Sequence, residues 1–424
     1  MTRGLAAVLT LGCKLNLADS SEIAAGLRTA GFAVVDHLCE ADAYVINTCS
    51  VTHVADAKSR KLIRSVRRLA PAACIGVTGC YPQSAGFAVA RELGADVVAG
   101  TRDADKRALV GFLADAVGAG RSPAFEAAPS PGLTRAFVKA QEGCNDVCAF
   151  CIVPRTRGRE ESRPVDAVTA EVQRAVEAGA REVVITGTQL GAWGRDLDPP
   201  LHPHHLIAGI LECSEVPRLR FSSLQPQDMT PDLLALWHDP RLMPHVHLAL
   251  QSGSDATLAA MRRRYTARQF LEAADRIRAG IPGVAITTDV IAGFPGETEA
   301  DFEATLDLCR RVGFARIHAF PYSRRSRTAA AQAPGQLPPE VKRERMQRLL
   351  ELGGELSRAF REAHRGTTRP VLWEEQKEGG WFGHTDNYIP VYAAGTNLRN
   401  RVTPVALGEV YHDGVRGTLV REAR

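Results

Sequence analysis

Gly143-Cys144-Asn145-Asp146-Val147-Cys148-Ala149-Phe150-Cys151 stands directly after an apolar run, Ala136–Ala140, in a chain of 424 residues. That first run opens a series of six strand-like segments between Arg135 and about Ser323. The others are Glu182–Thr186, Leu219–Ser223, Val246–Leu250, Ala285–Ile291 and Arg316–Phe320. Helical periodicity fills the intervals at Val165–Ala178, Ala267–Arg278 and Glu297–Val312. Six β/α units in a row predict a barrel or partial (β/α)6 barrel, with chemistry at the C-terminal strand ends. The cysteine run sits at such an end.

Residues 1–125 alternate in the same way and predict a parallel α/β unit. Its strand candidates are Ala6–Leu11, Ala43–Asn47, Ile75–Thr78 and Asp96–Ala99, with helical patterns at Ser20–Ala30 and Ala55–Leu69. Ala124–Leu133, with Pro129, Pro131 and Gly132, reads as a linker into a second unit, 130–365. That unit closes with an amphipathic helix from Pro339 to about Ala363, carrying Met346, Leu349, Leu350, Leu356 and Phe360 on one face. Residues 367–424 turn β-rich, at Val371–Glu374, Tyr388–Ala393, Val405–Val410 and Gly417–Val420, with a hairpin turn at Asp413-Gly414. A small all-β barrel is expected there.

Three thiolates within eight residues can hold three irons of a cubane cluster and leave the fourth iron open. An open iron is what S-adenosylmethionine chelates before its one-electron cleavage to a 5′-deoxyadenosyl radical. Structural zinc, the competing reading, ordinarily takes paired Cys-x-x-Cys knuckles with four ligands. No fourth Cys or His lies within the next 50 residues after Cys151. Cys13, Cys49 and Cys80 each fall one or two residues beyond an apolar strand of the first unit. In a parallel sheet those ends share one edge, so a second three-cysteine cluster is expected, with Gly12 and Gly79 leaving room for it. Cys39, Cys74, Cys213 and Cys309 do not share that placement and are expected to be structural.

The loop of Cys144, Cys148 and Cys151 with its six β/α units resembles the radical S-adenosylmethionine superfamily. With the second triad and a terminal β-barrel, the whole chain resembles the methylthiotransferases. The strings that carry this are Thr10-Leu11-Gly12-Cys13-Lys14, Ile46-Asn47-Thr48-Cys49-Ser50-Val51-Thr52, Val77-Thr78-Gly79-Cys80, Gln251-Ser252-Gly253-Ser254-Asp255 and Gly293-Phe294-Pro295-Gly296-Glu297-Thr298. Asn47–Thr52 with Ala55-Asp56 and Lys58-Ser59-Arg60, and Thr186–Gly194, look most like the tRNA N6-threonylcarbamoyladenosine branch. The resemblance implies two [4Fe-4S] clusters and two molecules of S-adenosylmethionine per turnover. One would methylate a sulfur at the cluster of Cys13, Cys49 and Cys80. The other would supply the radical that opens adenosine C2 to the methylthio group. Phe150, Gly187, Ser222, Gln251 and Ile291 are the implied contacts to S-adenosylmethionine. The implied partners are a tRNA anticodon stem-loop, held in part by a TRAM-like RNA-binding barrel, and a reductant such as flavodoxin or ferredoxin. A monomer is expected.

The same chemistry on N6-isopentenyladenosine or on a ribosomal-protein aspartate is the neighbouring possibility. A non-catalytic zinc and RNA-binding protein is the distant one. The sequence also departs from the family pattern. Arg324-Arg325-Ser326-Arg327 stands where a Pro/Gly-containing segment is usual, and Leu17-Ala18 replaces a polar-aromatic pair.

Net charge is only +4, so charge distribution matters more than its sum. Lys58, Arg60, Lys61, Arg64, Arg67 and Arg68 share a helical stretch without an acidic residue, and Arg324, Arg325 and Arg327 begin a second basic zone continued by Lys342, Arg343, Arg345 and Arg348. Both patterns suit phosphate contact, with Arg60, Arg64, Arg67, Arg324, Arg325 and Arg327 as the candidate RNA contacts. Residues 368–424 are balanced in charge. No apolar run approaches the roughly 18 residues a membrane helix needs. Leu5–Gly12 before Cys13 is at the short limit for a signal core and has almost no charged region before it. A reducing, cytoplasmic setting is therefore expected.

Overall fold

The computed structural model describes residues 3–118, 134–377 and 379–420. The segment read as the first linker lies outside them. The first unit is a five-stranded parallel sheet: β1 (Gly4–Thr10), β2 (Phe32–Val35), β3 (Ala43–Thr48), β4 (Cys74–Gly79) and β5 (Val97–Val98), in the order β2-β1-β3-β4-β5. Three of the four expected strands form within a residue or two, and the fourth shortens to two residues. The edge strand β2 was not foreseen, because four residues are too few to show alternation.

Helices lie between these strands. Lys14–Thr29 starts at Cys13, and His53–Leu69 is capped by Thr52, whose side chain accepts a hydrogen bond from Ala55 N at 3.2 Å. Asp56 at its start and Arg67 and Arg68 at its end complement the helix dipole.

The central unit contains β6 (Arg135–Glu142), β7 (Glu161–Ser162), β8 (Glu182–Gly187), β9 (Leu219–Phe221), β10 (His245–His247), β11 (Ala285–Ala292) and β12 (Arg316–Pro321). β6-β8-β9 and β10-β11-β12 are parallel ladders, joined by parallel bridges at Leu219–Leu242 and Leu224–Leu248. The result is the six-stranded partial barrel expected, plus a short antiparallel partner, β7, on β6. Alternation along the strands sends Val183, Ile185, Leu219, Phe221, Ile286 and Val290 outward into one large apolar core under the helices. Among those helices, Glu299–Val312 carries a Thr298/Asp301 capping box and ends on left-handed Gly313.

The helix Pro339–Ala363 forms as read, but Leu350 is 58% exposed. It lies about 100° around the helix from buried Leu349 and misses the seam. The last unit is a closed barrel of β13 (Thr368–Lys377), β14 (Gly380–Thr385), β15 (Pro390–Ala393), β16 (Val402–Tyr411) and β17 (Gly414–Leu419), ordered β13-β14-β15-β17-β16. β14 escaped the sequence reading. The final turn is His412-Asp413, one residue earlier than expected, since Gly414 pairs with Tyr411. A Cβ on Gly414 would lie 2.3 Å from Pro390 O.

This barrel seats on the N-terminal ends of the central strands. Arg135 bridges Glu182 and Glu374, and Arg218 donates to Thr385 O at 3.0 Å.

Candidate active site: two cysteine triads

Strands β1, β3 and β4 are neighbours in register, with Thr10 opposite Asn47 and Thr48 opposite Gly79. Their C-terminal ends therefore deliver Cys13, Cys49 and Cys80 to one edge. Asn16 fastens that edge by donating to Leu11 O at 2.7 Å and Thr48 O at 3.0 Å, and Asn47 donates to Asn16 O and Ser20 Oγ. Gly12 and Gly79 have φ of +118° and +94°, and a Cβ on Gly12 would lie 2.9 Å from Cys49 Cβ. Burial pushes the Cys49 thiol up to about 11, and the neighbouring Cys80 and Cys13 add to the rise. Burial raises Cys80 as well, against the pull of the positive charge of Arg157.

Cys144, Cys148 and Cys151 occupy the loop after β6. Gly143 turns the chain at φ +72°, where a Cβ would lie 1.9 Å from Arg159 O. Cys144 N donates to Gly158 O at 3.1 Å, and Ala149 is pinned between Met261 O (3.0 Å) and Ala330 N (2.8 Å). Arg263 Nη1 reaches Cys148 Sγ at 3.4 Å, and Asp146 N reaches Cys144 Sγ at 3.3 Å. Burial lifts Cys144 to about 11 and Cys151 to about 12, and each feels the charge of the other thiols. A bound metal reverses this, because thiol ligands deprotonate on coordination.

The donor sets fit two cubane clusters better than zinc. Among the described residues, the three sulfurs of neither triad lie mutually within 4.8 Å. Three thiolates on one tetrahedral zinc would stand about 3.8 Å apart, given Zn–S bonds of about 2.3 Å. Asp19, Asp103 and Glu142 do bring ligand oxygens within that limit. Lys139 Nζ already fills the space among them, at 3.0, 2.5 and 3.3 Å respectively.

Family models agree with this layout. The Radical SAM superfamily matches residues 138–309, and the family described as "Uncharacterized protein family UPF0004" matches residues 6–100. The Bacillus subtilis threonylcarbamoyladenosine tRNA methylthiotransferase MtaB is 35% identical over 96% of this chain and 94% of its own. The chain belongs to the radical SAM tRNA methylthiotransferases. A tRNA-2-methylthio-N(6)-dimethylallyladenosine synthase of Cereibacter sphaeroides is 38% identical over 94% of this chain and 96% of its own. Among solved structures, the radical S-adenosylmethionine methyltransferase TsrM from Kitasatospora setae shares the fold, with TM-score 0.55 and 14% identity, over 74% of this chain and 72% of that one.

In this methylthiotransferase the triads are linked through Arg157, which sequence reading missed. Six residues beyond Cys151, it donates to Asn16 Oδ1 (2.6 Å), Asp19 Oδ2 (3.0 Å) and Glu142 Oε1 (2.8 Å). An isolated arginine after the cysteine loop gives no sequence signal, because its partners come from two units.

Of the residues read as S-adenosylmethionine contacts, Phe150 and Ile291 pack on one apolar cluster with Phe294 and Tyr322. Gln251, at φ +65°, accepts from Ile291 N at 2.9 Å. Gly187 ends β8, where a Cβ would lie 2.8 Å from Leu190 Cδ2. Ser222 follows β9 and is buried, with its hydroxyl donating to Ile185 O at 3.0 Å.

The arginines divide. Arg64 is exposed and Arg60 half-buried on the helix beside Cys49, and Arg324 and Arg327 are exposed. Arg327 holds φ +72°, a conformation that favours glycine. Arg67 is spent on Gly94 O and Asp96. Arg325 is buried on Asp56 (2.6 Å) and Ser50 (2.8 Å), so it fastens the central unit to the loop after Cys49 and offers nothing to RNA. Arg345 and Arg348 are likewise neutralised by Glu297, Glu299 and Glu303. Cys309 is buried, but Cys213 is exposed at a helix end and packs no core.

Proposed function

We propose that this enzyme converts N6-threonylcarbamoyladenosine beside a tRNA anticodon to its 2-methylthio derivative. The carrying observation is the hydrogen bond at 2.6 Å from Arg157, in the segment that follows Cys144, Cys148 and Cys151, to Asn16 Oδ1, which also accepts from Cys13 Sγ of the other triad at 3.8 Å. Two thiol sets joined by one side chain suit a reaction that needs radical generation and sulfur delivery at one base. Cys13, Cys49 and Cys80 would hold one [4Fe-4S] cluster, and Cys144, Cys148 and Cys151 the other. When bound, the clusters and S-adenosylmethionine supply the one-electron cleavage, the adenosyl radical and the methylthio group.

The remaining tasks fall to the chain itself. Phe150 and Ile291 offer an apolar shelf for the adenine of S-adenosylmethionine, with Gln251, Gly187 and Ser222 around it. Arg263 keeps its positive charge beside the Cys148 sulfur. Arg60, Arg64, Arg324 and Arg327 offer phosphate contacts, and the closed terminal barrel serves as a TRAM-like RNA module. A tRNA anticodon stem-loop, a flavodoxin or ferredoxin reductant, a monomer and a cytoplasmic setting complete this reading. No helix among the described residues is long and apolar enough to cross a membrane.

The threonylcarbamoyl branch is supported by the strings at Asn47–Arg60 and Thr186–Gly194. The second reading is the dimethylallyl substrate, because relatives named for it match at similar identity. Mass spectrometry of tRNA nucleosides, with and without the gene, decides: loss of 2-methylthio-N6-threonylcarbamoyladenosine supports the first reading. Loss of the dimethylallyl product alone supports the second.

A further inference from the structure

Below the shelf formed by Phe150 and Ile291, the inner face of the partial barrel is polar. Ile286 and Val290 point outward into the helical core, so Thr287, Asp289 and Ile291 point inward. Asp289 therefore lies one inward step beneath Ile291, about 7 Å along the strand. Across the ladder it faces His318, and His247 faces Thr287. His247 Nε2 is 3.4 Å from Asp289 Oδ2, and His247 Nδ1 is 3.0 Å from Thr287 Oγ1. The His247 and His318 rings are 5.9 Å apart. This group is not sealed in the core, since the Asp289 side chain keeps 34% of its surface exposed.

Arg220 also faces inward from β9, between outward Leu219 and Phe221, but it is committed to Glu182 Oε2 at 2.9 Å and to Thr385 O at 3.1 Å. The surface of His247, Asp289 and His318 carries hydrogen-bond acceptors and donors together.

We propose that His247, Asp289 and His318 receive the N6 substituent of the substrate adenosine and select a threonylcarbamoyl group. This rests on the threonylcarbamoyladenosine reading above. That group offers a hydroxyl for Asp289 and urea N–H and C=O groups for the imidazoles. A dimethylallyl group offers neither. Sites built to hydrogen-bond a substrate reject an analogue lacking the group by about 10⁴-fold.

The test uses the full-length reconstituted enzyme and three anticodon stem-loop RNAs, carrying adenosine, dimethylallyladenosine or threonylcarbamoyladenosine. Affinity is read by fluorescence anisotropy, and kcat and KM by product formation. Wild type should prefer the threonylcarbamoyl RNA. His318→Leu and Asp289→Asn should each cut that preference at least tenfold, in affinity and KM, while affinity for the unmodified RNA stays within twofold. His318→Gln should recover part of it. Variants that keep the full preference overturn this inference and leave the substrate reading standing. Wild type that binds and converts the dimethylallyl RNA as well as the threonylcarbamoyl RNA overturns the substrate reading itself.

Discussion

Arg157 donates to Asn16 Oδ1 at 2.6 Å, linking the central barrel to the residue that ties two strand ends of the first sheet. The same guanidinium meets buried Asp19 and Glu142. The edge bearing Cys13, Cys49 and Cys80 is therefore braced from outside its own sheet.

Arg157→Met should leave two buried carboxylates short of a cation and cost about 3–5 kcal/mol. Chemical denaturation of the metal-free protein would show it as a fall in the midpoint, with Arg157→Lys intermediate. An unchanged midpoint would contradict the bracing.

Acid should unfold the protein through particular carboxyls. Burial pushes Asp19 up, but Arg157, Lys139 and Lys106 outweigh it and hold the group at about 2. Glu374 is also held at about 2, against burial, by His384 and Arg135. A folded pKa below the unfolded value of about 4 means stability present above pH 4 and lost as pH falls towards 2. Denaturation midpoints should be flat from about pH 6 to 5 with respect to these groups and drop between 4 and 2. Glu374→Gln should flatten part of that drop, and the prediction fails if its acid slope equals that of wild type.

Two arginines that look alike in sequence should behave differently. Arg64→Ala should leave the thermal midpoint unchanged and lower the salt slope of tRNA binding by about 0.7–0.9. Arg325→Ala should destabilise the fold by about 3 kcal/mol, because Asp56 stays buried without its partner. Calorimetry and binding titrations at several salt concentrations check both. Equal effects of the two changes would reject the division.

Gly143→Ala should strip the triad of Cys144, Cys148 and Cys151 of iron. Its Cβ would lie 1.9 Å from Arg159 O at a left-handed φ, so the hydrogen bond of Cys144 N to Gly158 O cannot persist. Iron analysis should fall from about eight to about four per chain. A full iron load would show that the loop relaxes around the methyl group.

The placement of Cys13, Cys49 and Cys80 was legible because each follows an apolar run, and parallel strands put such positions on one edge, while Cys144, Cys148 and Cys151 share one eight-residue stretch. The β/α alternation was legible for the same reason. β2 and β14 were not, since one is four residues long and the other interrupts its alternation with Gly380 and Gly383. The arginines misled because a run of like charge does not reveal a distant carboxylate. Asp56 lies 269 residues from Arg325, and only the fold brings them together. Asn16, Asp19, Lys139 and Arg157 were hidden likewise, each ordinary in sequence and paired only across units.

The most direct test of two separate clusters acting on one tRNA base is Cys49→Ala, assayed anaerobically with S-adenosylmethionine and tRNA bearing N6-threonylcarbamoyladenosine. Cys49 lies at the end of β3, while Cys144, Cys148 and Cys151 lie in the loop after β6. The variant should form 5′-deoxyadenosine, be lost as a methylthio donor and yield no 2-methylthio nucleoside. A 2-methylthio product formed at the wild-type rate would show that Cys13, Cys49 and Cys80 are not the sulfur-delivery site.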